Sequence, residues 1–191
     1  LLTSSAASDV YKRQAIERAI KISILINKSS NIKKWKLIRK EIYNDILKYG
    51  WNKKLGAFTQ SYGSDSLDAS LLLMESFDFV KPNNLKYIKT VKAIENDLMN
   101  DGLLFRYRNK DDFGFPSSSF TVCSFWYINS LYKIGEKEKS KNYFEKILKY
   151  SNHLGLFSED LDFKSKRLLG NFPQAYSHLA LIDCALNFNS K

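Results

Sequence analysis

The stretch GLFSEDLDFKSKRLLGNFPQAYSHLALI, Gly155 to Ile182, sets a polar segment with two adjacent acids, Glu159 and Asp160, in front of a run with helical apolar spacing. Gly155 and Gly170 bracket the polar part. Pro173 suits the first turn of a helix, where its missing N–H would have no partner anyway. Glu159 therefore sits on a loop that runs into a helix N-terminus, where aligned peptide dipoles favour a negative charge. With Leu156 and Phe157 beside it, an acid in such a place can be tuned as a general base. On the pattern alone, a solvated loop acid is the simpler reading.

Upstream of this stretch the apolar spacing is helical throughout, and the helices are of two kinds. Segments 15–26, 67–77, 120–132 and 174–188 are apolar around most of their circumference. Between them lie helices with a single apolar stripe: Trp35, Ile38, Ile42, Ile46 and Tyr49; then Tyr87 or Ile88 with Val91, Ile94 and Leu98; then Tyr143, Phe144, Ile147 and Leu148. A single stripe marks a helix with one buried face. The first, third, fifth and seventh helices are thus expected to form an inner layer, and the second, fourth and sixth an outer one.

The connectors alternate as well. Inner-to-outer links are short, whereas the outer-to-inner ones are long and open alike, as LGAFTQSY, DGLLFRYR and LGLFSEDL. Their glycines Gly56, Gly102 and Gly155 are 46 and 53 residues apart, the signature of a helix-pair repeat. Such a repeat, with every long loop on one side, predicts an all-α, curved or closed double layer. Three loops then converge on one face, where a rigid scaffold usually carries its site. An open helical-repeat module that binds a partner without catalysis fits the same pattern. The loop aromatics Phe58, Tyr62, Phe105, Tyr107, Phe113, Phe115 and Phe157 suit either sugar stacking or loop packing.

Composition narrows the class. At 191 residues, 44% hydrophobic and 14% aromatic, the chain has enough apolar material for one packed domain. The net charge of +10 is spread over the polar faces of many helices, and no nucleic-acid motif accompanies it, so no nucleic-acid partner is expected. Cys123 and Cys184 lie in apolar runs and read as small buried hydrophobes rather than a disulfide or metal ligands. No metal cluster or cofactor is expected. With no membrane-length apolar run and no signal-peptide core, the chain reads as cytoplasmic with no membrane association. The first fourteen residues, LLTSSAASDVYKRQ, differ in composition from the rest. They look like the translation of a sequencing-library adapter or a disordered segment, which would make the chain a reading frame truncated at its start, and they are set aside from fold reasoning.

Three segments, GWNKKLGAFTQSYGSDSLDASLLLM, SSFTVCSFW and GLFSEDLDFKSKRLLGNFPQAYSHLALI, resemble the C-terminal half of the catalytic domain of glycoside hydrolase family 15. That family contains glucoamylases, glucodextranases and a group of α,α-trehalases. The resemblance runs from Ala15 to about Asn187 and implies an (α/α)6 toroid, of which residues 15–191 would hold seven helices. It also implies inverting hydrolysis of α-glucosidic bonds in α-glucans or, as the alternative, in α,α-trehalose. Two carboxyl groups roughly 6.5–9.5 Å apart leave room for the attacking water in such enzymes. By the same resemblance Glu159 is the general base, and Asp160 orients it or a bound sugar. Arg106 and Tyr107 match a pair that hydrogen-bonds a glucose unit, although Arg106 also reads as a surface arginine with Arg108 as its competitor.

Gln60 and Tyr62 of the first long loop are expected on the same side, so that Glu159, Arg106 and Tyr62 share one cavity. His178 is expected to be a buried, hydrogen-bonded histidine rather than a catalytic one. Two departures stand out. Many relatives carry an acid before the CSFW segment, where this chain has Ser117. The family's general acid belongs to an earlier loop, upstream of Ala15, with the missing N-terminal half of the domain. A half-ring on its own would leave inner helix faces uncovered.

Overall fold

The computed structural model describes residues 6–112 and 114–189. Phe113, one of the loop aromatics singled out above, lies outside the described residues, as do residues 1–5. Seven helices are present among the described residues: α1 (Ala6–Leu25), α2 (Ile32–Tyr49), a 3-10 helix (Ala69–Met74), α3 (Leu85–Leu98), α4 (Thr121–Lys133), α5 (Lys137–Leu148) and α6 (Ala175–Asn189). Seven strands of two residues each occupy the long connectors: β1 (Trp51–Asn52), β2 (Ala57–Phe58), β3 (Met99–Asn100), β4 (Leu103–Leu104), β5 (Ser119–Phe120), β6 (Asp160–Leu161) and β7 (Leu168–Leu169).

The two-layer alternation read from the sequence is the architecture observed. Along the inner layer the 3-10 helix packs on α1 and on α4, and α6 packs on α4. Outside it, α2 lies against α1, α3 against the 3-10 helix, and α5 against α4. The outer helices bury one face, as their stripes require. In α3 that face is Tyr87, Thr90, Val91, Ile94 and Leu98, and Asn84 caps the helix by accepting from Lys86 N and Tyr87 N.

Helix α4 is the opposite case, with ten of its residues buried, among them Val122, Phe125, Trp126 and Ile128. Its buried serines pair with neighbouring backbone. Ser124 Oγ accepts from Leu104 N at 2.9 Å, and Ser130 Oγ donates to Trp126 O at 2.8 Å. From the outer layer, Ser140 Oγ donates to Ile128 O at 2.7 Å. A buried hydroxyl without such a partner is costly, so these bonds also fix how the helices register.

Two boundaries differ from the sequence reading. Helix α1 begins at Ala6, not Ala15, so residues 6–14 are part of the folded helix. Ala6 and Val10 are buried, Ala6 N donates to Gln60 O at 2.9 Å, and the Tyr11 ring meets Phe77 at 4.8 Å. Composition set the segment apart, but alanine-rich chain with an Asp9–Lys12 ion pair one turn apart suits a helix. The third helix is a six-residue 3-10 turn rather than an α-helix over 67–77. Unbroken apolar character does not distinguish the two; after Met74 the chain continues in turns as far as Asp78, at φ 54.

The expected repeat in the long loops is real and rests on backbone geometry. Gly56, Gly102 and Gly155 all have positive φ, at 64°, 82° and 75°. In the first two connectors the glycine closes a hairpin, β1 with β2 and β3 with β4. In the third, Asn152 Oδ1 accepts from Leu154 N and Leu156 N, as Asn52 Oδ1 accepts from Lys54 N and Leu55 N in the first. The cysteines are free and buried, as expected. At the end of the inner layer, Tyr176, Leu179, Ile182 and Leu186 of α6 form an exposed apolar stripe.

Gly56 has open space where a Cβ would go, whereas a Cβ at Gly102 would sit 3.3 Å from the Tyr143 ring. Gly56→Ala is therefore expected to cost only the left-handed backbone penalty, about 1–2 kcal/mol. Gly102→Ala is expected to cost more. Urea unfolding of the two variants checks the order; equal losses would mean that Tyr143 gives way freely.

Candidate active site

The N-terminal ends of the inner helices meet the three long loops, and short strand pairings hold them together. β5 pairs with β6 in antiparallel register, Ser119 opposite Leu161 and Phe120 opposite Asp160. β6 in turn pairs with β7. Thr121 N, at the start of α4, donates to Glu159 O at 2.9 Å, and Glu159 N donates to Asn171 O at 2.9 Å. The two acids are thereby fixed between the start of α4 and the segment leading into α6. The Phe105 and Phe163 rings, 4.3 Å apart, add an apolar tie between the middle and last loops.

One open cavity of about 370 Å³ lies at this junction, lined by Arg106, Tyr107 and Asp160 with Ser117, Ser118 and Phe115 among others. Three of the candidate site residues read from the sequence, Arg106, Tyr107 and Asp160, are thus together. Asp160 Oδ2 accepts from Ser118 Oγ at 2.6 Å. Burial pushes the Asp160 carboxyl up, the Ser118 hydrogen bond pulls it down, and the charge of Glu159 raises it again, so it lies above the usual carboxylate range. Tyr107 donates to Asp111 Oδ2 at 2.7 Å, a bond that raises its phenol pKa.

Arg106 lines this cavity with its side chain 41% exposed, and its Nε lies 3.4 Å from Asp68 Oδ1. Burial works against its charge, but the Asp68 carboxylate, with smaller contributions from Cys123 and Tyr176, turns the net shift upward. Arg108, the competing candidate, instead lies over the Phe105 ring at 5.0 Å. Gln60 reaches the same neighbourhood indirectly. Its Oε1 accepts from Asn109 Nδ2 at 2.6 Å, and its Nε2 lies 3.5 Å from Asp68 Oδ2.

The expectation that Glu159, Arg106 and Tyr62 line one cavity needs correction. Tyr62 turns toward α1, donating to Asp9 Oδ2 at 2.6 Å with its ring against Tyr49, and is not among the lining residues. Glu159 is adjacent to Asp160 in the chain but is not among the lining residues, because successive residues of an extended segment face opposite sides. Its Oε2 accepts from Asn171 Nδ2 at 2.9 Å and Asn171 N at 3.2 Å. The donors are those of Asn171, not the end of α6, which starts beyond Pro173. Gly170, at φ +72, is what lets the carboxylate lie there, since a Cβ would come within 2.9 Å of Glu159 Oε2.

Several loop aromatics belong to the core. Phe58 and Phe157 are fully buried, the latter edge-on to Phe125 at 5.4 Å. His178 is hydrogen-bonded as expected, but it is half-buried rather than buried. Its Nε2 accepts from Phe157 N at 3.2 Å, which leaves Nδ1 to donate to Gln174 O at 2.7 Å. The residue that sequence reasoning missed is Asp68, buried at the start of the 3-10 helix. Its signal was an Asp directly ahead of an apolar run, the pattern of an N-cap. Among the described residues, no group of three or more His, Cys, Asp or Glu could hold a metal ion. No helix among them is long and apolar enough to cross a membrane.

Comparison with known proteins accounts for this arrangement. The family model described as Glycosyl hydrolases family 15 matches residues 3–141 and 135–186, nearly the whole chain. The chain belongs to glycosyl hydrolase family 15. It is 41% identical over 179 residues to a protein named trehalase from Thermoplasma acidophilum, covering 93% of this chain and 31% of that one. A trehalase of Mycobacterium tuberculosis is 39% identical over 176 residues, covering 91% and 26%. The chain thus spans less than a third of the length of these family 15 relatives.

Among solved structures, a wild-type glycosidase is similar with a TM-score of 0.79 at 16% identity, over 97% of this chain and 52% of that one. A bacterial glucoamylase complexed with acarbose gives 0.73 at 13% identity, over 97% and 33%. At such identities the likeness concerns the fold. The alternating helices are an incomplete (α/α)6 toroid of about seven helices, as the family resemblance implied.

Ser118 is the one neighbour that pulls the Asp160 pKa down. In Ser118→Ala, burial and the charge of Glu159 act unopposed, so Asp160 is expected to stay protonated to higher pH than in the parent. Carboxyl carbon chemical shifts followed through a pH titration measure this; an unchanged or lowered midpoint would remove Ser118 as its partner.

Proposed function

We propose that the full-length protein carrying this chain hydrolyses α-glucosidic bonds with inversion, and that Glu159 is the general base. The observation that carries this is the family 15 match across a last loop whose leading acid is held by Asn171, with no side chain at Gly170 to displace it. In this reading the Glu159 carboxylate takes a proton from water as its oxygen attacks the anomeric carbon. The bond to the leaving sugar oxygen breaks, and a second carboxylic acid protonates that oxygen. We assign the second acid to a loop upstream of Ala15, at the roughly 6.5–9.5 Å separation that inversion needs.

Arg106, Tyr107 and Asp160 hold sugar hydroxyls from the cavity side of β6, and the glucoside extends past the edge of that strand so that its anomeric carbon meets Glu159. Sugar hydroxyls donate and accept, so a guanidinium facing a carboxylate across one cavity serves both needs. Gln60 acts from the first loop through Asn109. The chain from the start of α1 onward is, on this account, the C-terminal part of the catalytic domain. Free buried Cys123 and Cys184 support a cytoplasmic setting.

α-Linked glucose oligo- and polysaccharides are the substrates that the general family resemblance suggests. The names of the relatives at 39–41% identity favour α,α-trehalose as a second reading.

In the full-length protein, Glu159→Gln is expected to lower kcat by about 10²–10⁴ with its melting temperature unchanged. Glucose release from α,α-trehalose, maltooligosaccharides and isomaltose-type glucans, assayed side by side, separates the two substrate readings. Undiminished turnover by Glu159→Gln would remove Glu159 from the mechanism.

A further inference from the structure

Asp68 is 6% exposed, a rare situation for an aspartate unless its charge is met from several sides. Three segments converge on it. Oδ1 accepts from Ser70 N at 2.7 Å, capping the 3-10 helix, and faces Arg106 Nε at 3.4 Å. Oδ2 lies 3.5 Å from Gln60 Nε2 of the first loop. Beside it the backbone is tied as well, since Ala69 N donates to Arg106 O at 2.8 Å. The capping bond needs an acceptor oxygen, which an asparagine also supplies. A charge is what the arginine needs.

Arg106 stands on the middle loop, not on a helix, and its side chain is 41% exposed where it borders the cavity. A long side chain of that kind loses conformational freedom when it binds a ligand, unless something holds it beforehand. With Nε directed at Asp68, the guanidinium plane is set from behind. Its terminal nitrogens then carry the donors for a ligand in the cavity. We infer that Asp68 is a positioning residue: it holds the Arg106 guanidinium in the cavity wall in the orientation that receives a sugar hydroxyl, without touching the sugar itself.

This rests on the reading of the Arg106 cavity as a glucoside site, so the test has one arm that needs no sugar. Phenylglyoxal reacts with arginine in its deprotonated form, and a carboxylate partner suppresses that form. In Asp68→Asn, modification of Arg106, followed by peptide mass spectrometry, is expected to accelerate at least about threefold. Asp68→Glu keeps the charge and is expected to retain most of the protection. In the full-length protein, Asp68→Asn is also expected to raise KM for the cleaved glucoside about tenfold while kcat changes less. In an Arg106→Lys background, where the planar fork is gone, the same change is expected to raise KM no further.

An unchanged labelling rate in both Asp68 variants would overturn the inference, and so would an equal KM shift with and without Arg106. If the parent protein cleaves no glucoside, the functional reading fails. The labelling arm still decides whether Asp68 governs Arg106.

Discussion

The arrangement at the mouth of the inner helices depends on one short antiparallel ladder. Ser119 opposite Leu161 and Phe120 opposite Asp160 join the loop before α4 to the loop before α6, and the Thr121 N to Glu159 O bond extends the tie by one residue. Because strand residues alternate in direction, this register also sorts the adjacent acids. Asp160 goes to the cavity with Arg106, and Glu159 to Asn171 and Gly170. A slip of one residue would exchange their places. The chemistry proposed for family 15 here therefore hangs on backbone pairing as much as on the acids themselves.

Such a small ladder holds because of what lies beneath it. Helix α4 is buried nearly all round and fixed laterally by hydrogen bonds from Leu104 N to Ser124 and from Ser140 to Ile128 O. Cys184 of α6 adds a contact from its sulfur to Phe125 O at 3.1 Å. Each is modest, about 1 kcal/mol as a net contribution. Their larger effect is negative, because any shift of α4 would leave buried polar groups unpaired. The loops are thus built on a support that has few alternative positions. At the surface, Asp101 accepts from Lys146 at 2.7 Å and pairs with Lys166 at 2.8 Å, linking the middle hairpin to α5 and to the last loop.

Much of this was legible in the residues. The contrast between segments apolar all round and segments with one stripe gave the two layers, because burial on both sides and burial on one side leave different periodicities. The glycine repeat gave the turns, since Gly56, Gly102 and Gly155 occupy backbone angles that other residues adopt at a cost. Tertiary contact decided what local pattern could not. Residues 6–14 looked foreign by composition yet form helix, with Ala6 and Val10 buried. Tyr62 was placed correctly on a long loop, but its direction is set by Asp9, which lies far away in sequence. Asp68 looked like a helix cap, and nothing local announced that Arg106 would come to it. Charge pairs between loops are written in the fold, not in any window of sequence.

The central claim is that the Glu159 carboxylate occupies the place from which water is driven onto the anomeric carbon. Replacing Glu159 by Gly in the full-length protein opens that place, and supplying azide with α-glucosyl fluoride provides a nucleophile that needs no base. Turnover is expected to recover with azide, and the product to be β-glucosyl azide, formed as fluoride leaves from the opposite face. No recovery with azide in a folded Glu159→Gly protein, or a product of α configuration, would contradict it.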